Sequence, residues 1–357
     1  MNSFTKKESM SIKGIAILMM IWHHCFLAGR FEDYEIVFLP LAQSQVVNVA
    51  SFCKICVSLF AFVSGYGLYI SFIKDLSQGG HWIKNRLIRL LSGYWFIVLL
   101  AWIVCFMIDG RTYTFYFEGK NVWLGIWTML MEFFGLAKFL NLSVFNGDWW
   151  YISAAVVFVV LVPVLSKSLE FLGSVSTIAL CIIIPRLMGD FYGGTHWVSF
   201  LPVFVLGMIA AKEKLFEKWN NWTITRNKKQ SNVIKVTGLF ILCVLGYKFY
   251  YHLPTQLYWE VKYAFIPIVI IIFAKEYIIP LPIVGKVLEF LGKPSMNIWL
   301  IHNFIRGMYG KDFIYGLEHF AVIMLMLLII SLAASIVIEF LKKLLGYEKI
   351  IQKLIEL

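Results

Sequence analysis

The sequence predicts an all-α, polytopic membrane protein with about ten transmembrane helices, cytoplasmic N- and C-termini and one further helix that does not cross the bilayer. Composition is the first reason, because 60% of the 357 residues are hydrophobic and only 15% are charged, against roughly 45–50% and about 25% in soluble domains. The apolar residues also form runs of the length that spans a bilayer. Finally, the net charge of +11 collects in a few segments. A soluble enzyme and a disordered chain are excluded.

Eleven apolar runs are candidate spans. They lie near residues 10–29, 49–73, 93–109, 121–137, 149–167, 174–188, 197–211, 233–250, 260–274, 291–309 and 319–341. The first run follows two lysines, as a signal peptide would, but it contains two histidines and no small-residue cleavage site follows it. We therefore expect it to be retained as a span.

The basic residues set the orientation, because Lys and Arg collect in cytoplasmic loops. Four segments carry the whole excess charge: 1–13 (+2), 74–92 (+3), 212–235 (+5) and 339–357 (+1). Placing all four in the cytoplasm requires that one run between residues 110 and 173 does not cross. The run 121–137 is the weakest, because it contains Glu132 and many aromatic residues, as an interfacial or re-entrant helix does. This leaves ten spans, with cytoplasmic loops near 74–92 and 212–235.

No long linker or internal repeat divides the chain, so residues 1–357 are predicted to form a single integral-membrane domain. All six cysteines lie in apolar runs, where small buried side chains are common, and Cys53 and Cys56 lack the second pair that a zinc site needs. No metal site is predicted. Because the basic residues are explained by membrane orientation, nucleic acid is not an expected partner. The bilayer is an expected partner, and a homodimer is left open.

Ionisable residues inside a span are costly and usually functional, so Lys13 and His24 are the first site candidates. They are eleven residues apart, which places them on one helix face about 16 Å apart along the axis. Lys13 is expected at the cytoplasmic edge and His24 deeper, and they could hold the two ends of one long ligand. His24 suits proton transfer. The alternatives are a snorkelling lysine and an interhelical hydrogen bond from histidine. The adjacent His23 points about 80° away.

The second span ends in Ser64-Gly65-Tyr66, which offers two hydroxyl groups and a glycine that permits close backbone approach; tight helix packing explains the pattern equally well. The basic segment after it contains Arg86 and Arg89. Their guanidinium groups suit phosphate binding, or they serve only to orient the protein.

Two further segments place polar residues at or within a span. Asp148, Trp149, Trp150 and Tyr151 form the predicted outer entry to a span, where paired tryptophans are also usual for an aromatic belt. His302 and Asn303 lie in a late span, where hydrogen bonding between helices is the alternative to a role in a site.

These residues resemble the acyltransferase 3 family of integral-membrane acyltransferases, in particular its sugar O-acetylases. Six motifs follow in family order over about residues 10–340: the basic residue and histidine (Lys13, His24), the Phe-rich run 60–66 ending in Ser-Gly-Tyr, Arg-Leu-x-Arg (Arg86, Arg89), Trp-Tyr-x-Ser (Trp150, Tyr151, Ser153), Pro-x-Phe-x-x-Gly (Pro202, Phe204, Gly207) and Leu-Gly-x-x-Ser with Ile-His (Leu291, Gly292, Ser295, Ile301, His302). Two positions differ from the family pattern: Lys13 replaces the usual arginine, and Ala155 stands where many members have glutamate.

The resemblance implies an acyltransferase that uses cytoplasmic acyl-CoA, most often acetyl-CoA, as donor substrate, with no permanently bound cofactor. The acceptor would be a hydroxyl of a surface or lipid-linked carbohydrate, and the location a bacterial cytoplasmic (inner or plasma) membrane. His24 would act as general base or transient acyl carrier, with Lys13, Ser64 and Tyr66 as further catalytic residues.

For the substrates, the resemblance together with the chemistry of the residues gives two groups. Lys13, Arg86 and Arg89 would bind the donor. The acceptor would be bound by His23, Asp148, Trp149, Trp150, Tyr151, His302 and Asn303. The competing hypotheses are a transporter or flippase of lipid-linked sugars and a catalytically idle sensor or assembly partner built on the same scaffold.

Overall fold

The structure, a computed structural model, describes residues 4–75, 81–189 and 196–356, without the side chain of Met188. Residues 1–3 and 357 of the predicted cytoplasmic termini, and residues 76–80 of the predicted loop 74–92, lie outside the described residues. In the described part the regular secondary structure is helical and no strand is present. The predicted all-α class is therefore confirmed.

The described residues form eighteen α-helices, which we number in chain order. They are α1 (Lys6–Phe26), α2 (Gln43–Phe52), α3 (Cys56–Asp75), α4 (Trp82–Asp109), α5 (Arg111–Tyr116), α6 (Val122–Phe133), α7 (Trp150–Phe171), α8 (Gly173–Met188), α9 (Leu201–Lys212), α10 (Leu215–Asn221), α11 (Lys228–His252), α12 (Thr255–Glu260), α13 (Ile266–Phe273), α14 (Pro282–Gly292), α15 (Ser295–Asn303), α16 (Lys311–Tyr315), α17 (Phe320–Leu344) and α18 (Tyr347–Glu356). Short 3-10 segments cover Cys53–Ile55, Gly147–Trp149 and Trp197–Phe200, and π-helical segments cover Val261–Phe265, Ala274–Ile278 and Phe304–Tyr309.

Six helical segments in the described residues are long and apolar enough to cross a membrane. They are Gln43–Asp75, Trp82–Asp109, Gly147–Phe171, Lys228–His252, Thr255–Ile278 and Phe320–Leu344. Shorter apolar helices accompany them, and the protein is a multi-pass membrane protein. The count of ten spans and the cytoplasmic termini stay predictions.

The run near 121–137, which the charge distribution excludes as a span, forms the short helix α6. Its 12 residues extend for about 18 Å, which is less than the roughly 30 Å of a hydrocarbon core. The helix length agrees with an interfacial or re-entrant position.

The described residues of both segments predicted as cytoplasmic loops are largely helical, and their cytoplasmic position stays a prediction. α4 begins at Trp82 and therefore includes Arg86 and Arg89. In the second segment, α10 and the first turns of α11 occupy much of 212–235. The physical reason is that residues 82–92 contain no proline and only side chains that a helix accepts, so the helix continues beyond the apolar run.

Two compact units account for the described chain. Unit 1 comprises Met1–Ser77, Leu161–Ser295 and Leu317–Met324, and unit 2 comprises Gln78–Val160, Met296–Gly316 and Leu325–Leu357. Within unit 1, α1 packs on α14 and α3, and α3 packs on α9. Within unit 2, a cluster of buried aromatic side chains from α4, α5 and the start of α7 forms the core, with Tyr94, Tyr116, Phe145 and Trp149 among them. The prediction of one integral-membrane domain is not tested by this division.

Candidate active site

In unit 1, the helix α1 carries both Lys13 and His24. It is one uninterrupted helix of 21 residues that starts with a capping box, in which Thr5 and Glu8 exchange side-chain-to-backbone hydrogen bonds. The helix confirms that Lys13 and His24 share one face. Lys13 is half-buried, and its ammonium makes no hydrogen bond or ion pair with residues 4–75, 81–189 or 196–356.

Arg30, in the segment after α1, contacts His24. Its Nη1 atom lies 2.8 Å from His24 Nδ1 and 3.0 Å from the His24 carbonyl oxygen. A guanidinium can only donate hydrogen bonds, so Nδ1 accepts and a neutral His24 carries its proton on Nε2. The lone pair of the ring is therefore at Nδ1 and is engaged by Arg30.

The segment that contains Arg30 is held by a nearby carboxylate. Glu32 accepts hydrogen bonds from the backbone N–H groups of Gly29, at 2.5 Å, and Phe31, at 3.1 Å. The Gly29 N–H is the main reason that the pKa of Glu32 lies below its usual value. These bonds fix the turn from which Arg30 reaches back to His24.

His23 and Trp22 join α1 to α2. His23 is buried and its Nδ1 lies 2.7 Å from the Ala50 carbonyl oxygen, while Trp22 Nε1 donates to the Val46 carbonyl at 3.1 Å. His23 therefore takes part in the packing of α1 on α2, and its predicted role in acceptor binding stays a prediction.

Tyr66 lies near the start of α1. Its hydroxyl accepts a hydrogen bond from the Phe4 N–H at 3.3 Å, and its ring contacts the rings of Phe4 and Phe216. From Lys6 to His24, α1 extends for about 27 Å. The structure thus places Tyr66 at the Lys13 end of α1 and not beside His24. Ser64, one residue before Gly65, is partly exposed on α3.

In unit 2, Arg86 and Arg89 lie three residues apart in the second and third turns of α4, which places them on the same side of that helix. Arg86 lies over the ring of Trp82, 5.9 Å from its centroid. Arg89 is exposed. The arrangement leaves Arg89 open to an anionic ligand.

Asp148 and His302 form an ion pair inside unit 2, with 3.3 Å between Asp148 Oδ2 and His302 Nε2. His302 is fully buried, and its Nδ1 donates to the Trp299 carbonyl oxygen at 2.7 Å. The structure thus brings together two residues that sequence patterns single out separately.

Asn303 lies in a second set of polar contacts in the same unit. Its Nδ2 donates to Asn146 Oδ1 at 3.1 Å, and Arg306 Nη2 donates to Asn303 Oδ1 at 2.6 Å. Asn146 Oδ1 also accepts the Asp148 N–H at 3.1 Å. This network connects the turn before α7 with the π-helical segment that follows α15.

The aromatic residues at the start of α7 pack against α15. Trp149 is buried and donates from Nε1 to the Leu300 carbonyl at 2.9 Å. Tyr151 contacts the ring of Trp299, and Trp150 is also buried. The hydrogen bond to Leu300 holds Trp149 in place and thereby fixes the position of the adjacent Asp148. The packing of Trp149 against α15 accounts for the burial of the Trp149 side chain.

Several site residues were not predicted. Arg306 could have been found, because it is an ionisable residue in a predicted span, which is the rule that singles out His302. Arg30 lies just after a predicted span, and Asn146 acts through Asn303, 157 residues later in the chain, so no local pattern signals either contact. Glu132 is visible as an ionisable residue in the run 121–137, but its contacts with Tyr116 and Phe145 are not.

Comparison with known families identifies the class of protein. A family described as an acyltransferase domain, acyltransferase 3, matches residues 11–340, which is nearly the whole chain. The chain belongs to this family of membrane acyltransferases, as its motifs predicted. Searches of curated proteins and of solved structures gave no match.

Proposed function

We propose that the protein is a membrane-bound O-acyltransferase that moves an acyl group from cytoplasmic acyl-CoA, with acetyl-CoA favoured, to a hydroxyl of a surface or lipid-linked carbohydrate. The observation that carries the proposal is on α1, where Lys13 and His24 share a face and the Lys13 ammonium has no partner among the described residues. A half-buried cation without a partner is costly, and an anionic donor would compensate it.

The donor carries phosphates at one end and a thioester at the other, and different residues contact each end of the donor. Lys13, Arg86 and Arg89 attract the phosphates, because all three are cations suited to phosphate oxygens. The roughly 16 Å between Lys13 and His24 along α1 is a distance that an extended pantetheine arm can bridge. Tyr66 and Ser64 belong to the donor end of α1 in this proposal, since the Tyr66 hydroxyl bonds to Phe4.

His24 performs the chemistry at Nδ1, the nitrogen with the lone pair, after Arg30 has released it. As general base, His24 takes the proton of the acceptor hydroxyl while that oxygen attacks the thioester carbon. The C–S bond then breaks, and the thiolate of CoA leaves and takes up the proton. As acyl carrier, Nδ1 attacks the thioester carbon, the C–S bond breaks, and CoA leaves as a thiol with the proton from Nε2. The acceptor hydroxyl then attacks the acyl carbon, the bond between Nδ1 and that carbon breaks, and the hydroxyl proton returns to the His24 ring.

For the acceptor, the proposal assigns hydrogen bonding to Asp148, His302 and Asn303. Carbohydrate hydroxyls both donate and accept, which suits a carboxylate, an imidazole and an amide. Tyr151 and Trp150 would contribute aromatic surface next to them. The protein would act in the cytoplasmic membrane of a bacterium, without a permanently bound cofactor.

The test is acyl transfer from labelled acetyl-CoA in membranes that contain the wild type or a variant. His24→Ala is expected to lower transfer by a factor of about 100 or more, the size of a general-base contribution. Lys13→Gln is expected to raise KM for acetyl-CoA more than it lowers kcat. The matched controls are His252→Ala and Lys7→Gln, since both residues are exposed.

Folding of each variant is checked by size-exclusion chromatography in detergent. A folded His24→Ala protein that still transfers acetyl groups at the wild-type rate contradicts the assignment of His24. An unchanged KM in Lys13→Gln reduces Lys13 to a determinant of membrane orientation.

A further inference from the structure

Arg306 is a buried arginine near the end of the predicted span 291–309. It lies in the π-helical segment Phe304–Tyr309 that continues α15, and only 9% of its surface is exposed. Single π-helical turns within helices occur frequently at functional sites. In the predicted topology this end of the helix faces the outer side, where the acceptor is expected.

The described partners of Arg306 are all neutral. Nη2 donates to Asn303 Oδ1 at 2.6 Å and Nη1 lies 3.5 Å from the Tyr315 hydroxyl, while Nε has no hydrogen-bond partner. No carboxylate in the described ranges lies within 4.0 Å of the guanidinium nitrogens. Several of the five N–H groups of Arg306 are therefore not used by the protein.

A guanidinium in this position needs a counter-charge. Arginine does not lose its proton inside a protein, so Arg306 cannot avoid the cost of a buried charge by becoming neutral. Buried charges are normally paired, and the nearby carboxylate of Asp148 already faces His302. Carbonyl groups at the end of the helix offset part of the charge only. A bound anion would supply the rest.

The position of Arg306 indicates which anion. Asn303 bonds to Arg306 and also to Asn146, and Asn146 accepts the N–H of Asp148. The guanidinium is thus linked through two amides to the turn that carries Asp148, a proposed acceptor-binding residue. We propose that Arg306, with Asn303, binds an oxyanion of the acceptor, so that the substrate is an acidic carbohydrate that carries a carboxylate or a phosphate.

The identification of the anion as part of an acyl acceptor rests on the proposed function. Binding of an oxyanion at Arg306 is measured separately from acyl transfer. The probes are methyl glucoside, methyl glucuronide and glucose 1-phosphate, which are neutral, carboxylated and phosphorylated. Dissociation constants are measured with the purified full-length protein in nanodiscs of a neutral lipid. The wild type is expected to bind one or both anionic probes at least about tenfold more tightly than the neutral one, as a charge-assisted hydrogen bond allows.

Arg306→Gln is expected to weaken binding of the anionic probe about tenfold and to change binding of the neutral probe less than twofold. Arg111→Gln is the matched control, because Arg111 already pairs with Asp109 at 3.1 Å. Arg306→Lys keeps the charge and loses the planar guanidinium, so binding of the anionic probe is expected to weaken several-fold. This variant replaces Arg306→Gln in the test if the glutamine variant does not fold.

The two anionic probes distinguish the source of the oxyanion. Preference for the glucuronide indicates an acidic sugar, and preference for the phosphate indicates a phosphorylated or lipid-linked one. Equal binding of all three probes by the wild type, or an anion preference that survives both Arg306 substitutions, overturns the inference. Arg306-dependent binding without any acyl transfer supports the oxyanion site and contradicts the proposed function.

Discussion

Glu132 on α6 is a buried carboxylate that holds the loop leading to α7. Its Oε2 accepts the Tyr116 hydroxyl hydrogen at 2.5 Å, and its Oε1 accepts the Phe145 N–H at 2.9 Å. The residue after Phe145 is Asn146, which bonds to Asn303. Glu132 therefore acts as a positioning residue for the polar network in unit 2.

Replacing Glu132 by glutamine tests this role. The Phe145 N–H lies within hydrogen-bond distance of both carboxylate oxygens, at 2.9 and 3.1 Å. In the glutamine variant an amide NH₂ donor replaces one of these acceptors and faces either the Phe145 N–H or the Tyr116 hydroxyl, so the buried hydrogen bonding is weakened. Thermal and denaturant unfolding in detergent should show a loss of stability of about 1–3 kcal/mol. Glu118→Gln is the control, because Glu118 is exposed. Equal stability of the two variants would mean that Glu132 does not hold the loop.

At this scale, sequence patterns find ionisable residues in apolar runs but not their partners. Lys13, His24 and His302 are visible as polar residues among apolar ones. The partner of His24 is Arg30, and the partner of His302 is Asp148, 154 residues earlier in the chain. The partner of His302 depends on tertiary contacts, and Arg30 reaches His24 through the turn after α1, which helical periodicity does not predict.

Among the elements, α3 and α9 show how the motif glycines are used. A Cβ atom on Gly65 would overlap the Phe204 carbonyl oxygen, and a Cβ atom on Gly207 would overlap the Phe62 carbonyl oxygen. The two helices of unit 1 thus approach each other closely through a reciprocal pair of glycines. The Ser-Gly-Tyr and Pro-x-Phe-x-x-Gly motifs meet at one interface, which favours the packing explanation for Gly65.

Gly65→Ala is therefore expected to destabilise the protein, whereas Gly67→Ala is not. An added methyl at Gly65 meets backbone, which cannot move aside as a side chain can, and overpacking of this kind costs about 1–3 kcal/mol. At Gly67, two residues along the same helix, no atom lies within 4 Å of an added Cβ. The midpoints of thermal unfolding of the two variants are compared in detergent. Similar midpoints would contradict close packing of α3 on α9.

Helix ends are also decided by more than the apolar runs. Residues 82–92 extend α4 beyond its run because they favour a helix, whereas Pro294 interrupts the run 291–309, and α15 begins only at Ser295. Hydropathy indicates which segments can be surrounded by lipid, whereas backbone hydrogen bonding and proline determine where a helix begins.

For the whole molecule, the charge distribution makes a prediction about topology. Ten spans place both ends of the chain on one side of the membrane, the basic residues predict that this side is the cytoplasm, and α6 does not cross. A green fluorescent protein fused after residue 357 is expected to fluoresce, since it folds in the bacterial cytoplasm. Alkaline phosphatase fused after Gly119 is expected to be active, since it needs the outer side. An inactive phosphatase at Gly119 or a dark C-terminal fusion would show that the number of spans is wrong.

The sequence by itself determined the membrane class, the acyltransferase family and the placement of Lys13 and His24 on one helix face. The membrane class follows from composition and the shared helix face from helical periodicity, whereas the family follows from the resemblance of motifs spread over nearly the whole chain. Only the tertiary structure decided that Arg30 engages His24, that Asp148 pairs with His302 and that Arg306 is buried among neutral partners. The contact between Asp148 and His302 joins residues far apart in the chain, which are brought together by the packing of whole helices. The contacts of Arg30 and Arg306 join residues three to nine positions apart and depend on how the chain turns after α1 and after α15.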